Sequence, residues 1–157
     1  MREPHILRTM PIVRVQLPAD ALSVERVEAV IAELTELIAA AEQMPADPAR
    51  RTGLIVLWEP LPAGAIRSNG ADPTGLAIPV FIWFHPPEGV MDDAHRATFV
   101  AGAQELFERH GPDDRIVVTS VVFLPIAEGD WGIGGTINHL PDFAARAGYT
   151  HLQHLVA

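Results

Sequence analysis

The chain has 157 residues, of which 48% are apolar and 20% charged, a composition that can bury roughly 70% of its unfolded surface in one domain without covalent staples. It contains no cysteine and no lysine, so disulfides, thiolate nucleophiles, cysteine metal sites and side-chain Schiff bases are excluded, and all 11 basic residues are arginines. A formal net charge of -9 argues against a nucleic-acid partner and against docking on an acidic membrane surface. The longest apolar stretch, 75–84, carries a proline and is about half the length a membrane span needs. The first residues lack a secretory pattern, so a cytoplasmic protein is expected.

In chain order, 12–17 alternates apolar Val13, Val15 and Leu17 with polar Arg14 and Gln16, the period of a half-buried strand. Ser23 is placed to cap a helix whose Val24, Val27, Val30, Ile31, Leu34, Leu37 and Ile38 recur at three- and four-residue spacing, closed by Met44-Pro45. A second strand is predicted over 54–58, ended by Pro60, Pro62 and Gly64 and the Ser68-Asn69-Gly70 turn. The order then repeats: a strand over 78–84, a helix capped by Asp92 with Phe99, Val100, Ala103, Leu106 and Phe107 on one stripe and Gly111 at its end, and a strand over 116–123. A Gly-rich hairpin follows over 128–135, with His151 and His154 in a short C-terminal helix. Pro11 and Pro79 stand 68 residues apart and Ser23 and Asp92 69 apart. The expectation is an α+β fold in which one β-α-β unit is duplicated (11–74 and 75–140), giving a four-stranded sheet with two helices on one face and a C-terminal tail helix.

Met10-Pro11-Ile12-Val13-Arg14-Val15, the Ser-capped acidic helix, Gly129-Asp130-Trp131-Gly132-Ile133-Gly134-Gly135 and the tail from Asp142 to Gly148 together resemble the tautomerase superfamily, specifically the fused, two-unit relatives of 4-oxalocrotonate tautomerase. The resemblance covers nearly the whole chain from Met10. It implies a cofactor-independent isomerase, needing no metal, that moves a proton on a small 2-keto or enol acid, with Pro11 as general base once Met10 is removed. The chemistry is sound, because an α-amine starts near pKa 7.7–8.0 and desolvation or a nearby cation brings it toward neutrality. Read from Met1, however, Pro11 lies inside a tertiary amide, so 1–10 is either an extension or an over-long gene start, and 11–157 is the working domain.

Half-length relatives carry two arginines for substrate carboxylates. The matching positions here read Leu22 and Leu54 in the first unit and Val90 and Ser120 in the second. A dicarboxylate is therefore poorly supported. Trp131 is expected to wall the pocket, Arg67 is the remaining anion clamp, and Ser120 joins them as a substrate-binding position. Pro79 matches the catalytic position of the second unit, with a structural role only. The bland readings are a proline at a strand entry for Pro11, a core aromatic for Trp131 and a solvated turn residue for Arg67. His151 and His154 read as a surface pair rather than a metal site, and Asp92-Asp93 and Asp113-Asp114 as caps and turns. The alternative function is a non-catalytic oligomer or small-ligand-binding protein with Pro11 internal. A homo-oligomer is expected, a trimer by resemblance. A ferredoxin-like module shares the element string but requires a fully antiparallel sheet.

Overall fold

The computed structural model describes residues 9–157. Residues 1–8 of the expected extension lie outside the described residues. The first unit is β1 (Ile12–Pro18), α1 (Val24–Ala41) and β2 (Ile55–Leu61); the second is β3 (Ala77–His85), α2 (Asp93–His110) and β4 (Ile116–Phe123). The short strands β5 (Trp131–Ile133) and β6 (Thr136–Asn138), the helix α3 (Leu140–Ala147) and a 3-10 turn (Thr150–Leu155) complete the chain. The sheet order is β2-β1-β3-β4. Each unit pairs its strands in parallel through a crossover helix, and β1 meets β3 antiparallel. The first strand of each unit is therefore central, and the fully antiparallel ferredoxin-like arrangement is ruled out.

Alternation drives the layering. Val13, Val15 and Leu17 of β1 and Ile78, Val80, Ile82 and Phe84 of β3 are buried under the helices. Val30, Leu34 and Ile38 of α1 and Phe99, Ala103, Leu106 and Phe107 of α2 meet them. Both predicted caps form: the Ser23 hydroxyl accepts from the Arg26 N–H at 3.3 Å, and the Asp92 carboxylate from the His95 N–H at 2.8 Å. The helices pack closely where Gly102 faces Leu37, whose Cδ2 would lie 3.0 Å from an added Cβ. Val100, expected in the buried stripe, is exposed.

Several boundaries move for identifiable reasons. α1 ends at Ala41, three residues before Met44-Pro45, because Gln43 adopts a left-handed φ of 57°. β2 continues through Pro60 to Leu61; it is an edge strand, where a missing N–H costs little. Pro79 sits inside β3 beyond the last residue paired with β1, Phe81, so it too interrupts no ladder on that side. The match of Pro79 to Pro11 fails. An offset of 68 carries buried Val13 and Val15 onto Phe81 and Trp83, which point away from the helices. An odd offset, such as the 69 residues between the two helix caps, keeps the faces in step.

Candidate functional site

The C-terminal segment builds one wall of a cleft at the entry of β1. Gly134 and Gly135 have φ of 60° and 86°, the mirror-image turn that joins β5 to β6 in a tight hairpin. Trp131 of β5 is 8% exposed, its ring 5.3 Å from that of Phe143 in α3. The Glu128 carboxylate ties this corner together, binding the His139 ring Nδ1 at 2.6 Å and accepting the Leu140 N–H at 3.1 Å. Ile126 is fixed against the exit of β3: its N–H donates to the Pro86 carbonyl at 2.8 Å and its carbonyl accepts from the Glu88 N–H at 2.9 Å.

Between this wall and the sheet lies a cleft of ≈ 390 Å³ lined by Ile12, Arg14, His85, Ile126, Asp130, Trp131 and Gly132. Ile12 pairs with His85 across the β1–β3 ladder, so both project on the face away from the helices, as Arg14 does two residues on. Arg14 is held in a polar chain on that face. Its Nε and Nη2 donate to the two oxygens of Glu59 at 2.8 and 3.0 Å, Gln16 Nε2 donates to Glu59 at 3.0 Å, and Trp83 Nε1 donates to Gln16 at 3.0 Å. The hydrogen bond from Arg14 holds the Glu59 carboxyl below its usual range and, reciprocally, raises the Arg14 guanidinium.

Pro11 lies one residue before this lining, buried at the start of β1, with its carbonyl accepting the Ile55 N–H at 3.0 Å. In the chain described, its nitrogen is acylated by Met10 and has no basicity. Met10 is 3% exposed within the core, and its N–H donates to the Gly53 carbonyl at 2.7 Å.

Arg67 and Ser120 stand elsewhere. Arg67 follows β2, its Nε donating to the Gly64 carbonyl at 3.0 Å, beside a second hollow of ≈ 230 Å³ lined by Pro18, Asp20, Leu61, Gly64, Ile66 and Thr74 among others. That hollow lies at the far end of β1, roughly 20 Å from Pro11 at about 3.3 Å per strand residue. Ser120 is exposed on β4, opposite Phe81. Within one chain, only Trp131 of the predicted binding residues shares a cleft with the β1 entry. Arg14 and Asp130 lie within the runs that carry the resemblance but take no role from it, and His85 lies in no motif. The strand alternation puts Arg14 on the outer face, but only the β1–β3 register brings His85 beside it.

His151, expected on the surface, is half-buried, its Nε2 at 2.7 Å from the Val90 carbonyl. The reason is the docking of the tail: Thr150 N–H donates to the Gln43 carbonyl at 3.0 Å, and the fully buried Tyr149 hydroxyl donates to Glu42 at 2.9 Å. Among the described residues, no group of three or more His, Asp or Glu side chains is arranged to hold a metal, and no helix is long and apolar enough to cross a membrane.

No family profile matches the chain, and neither does any curated protein at the level of sequence. Solved structures do match. A fused 4-OT, a wild-type asymmetric trimer designated F6, is 27% identical with a TM-score of 0.61, over 80% of this chain and 94% of that one. Pt0534, inactivated by 2-oxo-3-pentynoate, is 16% identical with a TM-score of 0.63, over 81% and 95%. The macrophage migration inhibitory factor of Toxoplasma gondii is 17% identical with a TM-score of 0.59, over 81% and 99%. The fold is that of the tautomerase superfamily in its fused, two-unit form, in agreement with the resemblance carried by the motifs.

Proposed function

We propose that the chain is an isomerase of the tautomerase type that moves a proton on a small 2-keto or enol acid, with the nitrogen of Pro11 as general base when Pro11 is the first residue. The observation that carries this reading is position: Pro11 enters β1 immediately before Ile12, and Ile12 and Trp131 line the same cleft. A secondary amine there, beside apolar Ile12, Ile126 and Trp131, would be desolvated and drawn toward a pKa useful for proton abstraction next to a carbonyl. Inactivation of the neighbour Pt0534 by 2-oxo-3-pentynoate supports a 2-keto acid. We take 11–74 and 75–140 as the two units of this working domain, with the tail serving to close the Trp131 wall.

The test is turnover of phenylenolpyruvate and 2-hydroxymuconate by protein produced to begin at Pro11. Activity that disappears in Pro11→Ala supports the reading, and absence of turnover with both substrates removes it. Oligomerisation belongs to the same proposal. The sheet face away from the helices exposes Leu57, Ile116 and Val118, and the F6 neighbour is a trimer. Light scattering is expected to give the mass of three chains.

One observation favours a second reading. Met10 is built into the core and hydrogen-bonded to Gly53, and in that state the Pro11 nitrogen is an amide. The protein would then be a non-catalytic oligomer that binds a small ligand in the same cleft. Intact mass measurement of protein from its own host decides: retained Met1 supports the binding protein, and a mass beginning at Pro11 supports the isomerase.

A further inference from the structure

We propose that Arg14 receives the carboxylate of the ligand in the Trp131 cleft and that Glu59 limits it to one carboxylate, so the cleft accepts monocarboxylic keto or enol acids and refuses dicarboxylic ones. The inference rests on the reading that this cleft is the ligand site.

A guanidinium offers five N–H donors in a fixed fork. Glu59 takes one from Nε and one from Nη2 along a single edge of that fork. Three remain, two on Nη1 and one on Nη2, and one from each nitrogen lies along the end edge, which matches one further carboxylate bidentately. Arg14 lines the cleft, Glu59 does not, and the Arg14 side chain keeps 41% of its surface accessible, so the donors that Glu59 leaves unused are the ones a ligand there can take. Gln16 anchors Glu59 from the other side and is itself fixed by Trp83, so the guanidinium is presented in one orientation rather than sampled from many.

A second carboxylate finds no such partner. Among the described residues Arg14 is the only Lys or Arg lining the cleft and half of its fork is already neutralised; of the other polar side chains there, Asp130 has the sign of the ligand and His85 offers a single imidazole rather than a fork. Arg67 lies at the opposite end of β1. The walls, Ile12, Ile126 and Trp131, suit the hydrocarbon remainder of the ligand.

The test is calorimetric titration of the full chain with three probes of similar shape: 3-phenylpropanoate, the dicarboxylate benzylsuccinate, and the uncharged 4-phenylbutan-2-one. The expected order is monoacid tighter than ketone by at least about fivefold and tighter than diacid by about tenfold or more. Arg14→Gln should reduce the monoacid to the affinity of the ketone. Glu59→Gln frees the second edge of the fork and should raise benzylsuccinate affinity at least about fivefold, a gain that a merely structural role for Glu59 does not produce. The proposal is overturned if the wild type binds benzylsuccinate as tightly as the monoacid, if Arg14→Gln leaves the monoacid within twofold, or if no probe binds. Should Glu59→Gln fail to fold, the Arg14→Gln arm decides alone. Turnover of phenylenolpyruvate by protein beginning at Pro11 reports separately on the isomerase reading, so either can fall while the other stands.

Discussion

Glu42 gives a sharp test of how burial controls stability here. It is 0% exposed, its Oε1 has no hydrogen-bond partner, and its Oε2 accepts only from Tyr149. Desolvation pushes its pKa from 4.5 to about 8, against the opposing hydrogen bond from Tyr149. In the fold the group is therefore neutral at pH 7, whereas in the unfolded chain it is ionised. A carboxyl with a raised folded pKa leaves stability intact below about pH 4.5 and removes it as pH rises toward 8. At 1.36 kcal/mol per pKa unit, the loss is about 3 kcal/mol by pH 7 and about 5 kcal/mol above pH 8, as an order of magnitude.

Glu42→Gln keeps an acceptor for Tyr149 and abolishes the titration. Its buried amide adds a cost of about 1–3 kcal/mol that does not change with pH. Urea unfolding of both proteins from pH 5 to pH 9 separates the two contributions. The variant should gain on the wild type by several kcal/mol across that interval and then hold level. Every other ionisable group is common to the two proteins, so only residue 42 contributes to the pH dependence of the difference. A difference that stays constant within about 0.5 kcal/mol from pH 5 to 9 refutes the reasoning.

Further outcomes follow from other contacts. Phe84→Ala removes a fully buried ring packed at 5.0 Å on Phe99 and 5.6 Å on Phe123, and should cost about 3–5 kcal/mol in denaturant unfolding. Asp92→Ala strips the α2 cap and should cost about 1 kcal/mol, read as a lowered Tm. Gly148→Ala places a Cβ 2.7 Å from Arg50 Cδ at a left-handed φ of 70°, and hydrogen exchange should show α3 and the 3-10 turn opening more readily than the sheet. Trp131→Ala removes the cleft wall and should abolish saturable binding of 3-phenylpropanoate while far-UV circular dichroism stays that of the wild type.

The layers were legible because their signals are local. The alternation at Val13, Val15 and Leu17, the stripe through Val30, Leu34 and Ile38, and the caps Ser23 and Asp92 each declare themselves within a few residues. The Gly134-Gly135 turn did so too. Partnerships across the chain did not. Glu42 follows a run of alanines at a helix end, and nothing near it in the sequence points to its burial or to the Tyr149 hydroxyl that meets it from 107 residues later. Arg14 reads as one polar step of a strand until Glu59 and His85 arrive from two different neighbours. Pro60 reads as a strand terminator because the sequence does not say which strands lie at edges.

The antiparallel seam between β1 and β3 gives the chain an approximate internal dyad, so each feature at one end of the sheet has a sister at the other. The counterpart of the Trp131 cleft is the smaller hollow at Pro18 and Leu61, where Gly64 and Ile66 occupy the loop that elsewhere carries the indole. Two half-length subunits related by true symmetry would present a pair of equivalent receptors. Fusion has let these halves diverge, and a saturating titration should count one ligand per polypeptide rather than two.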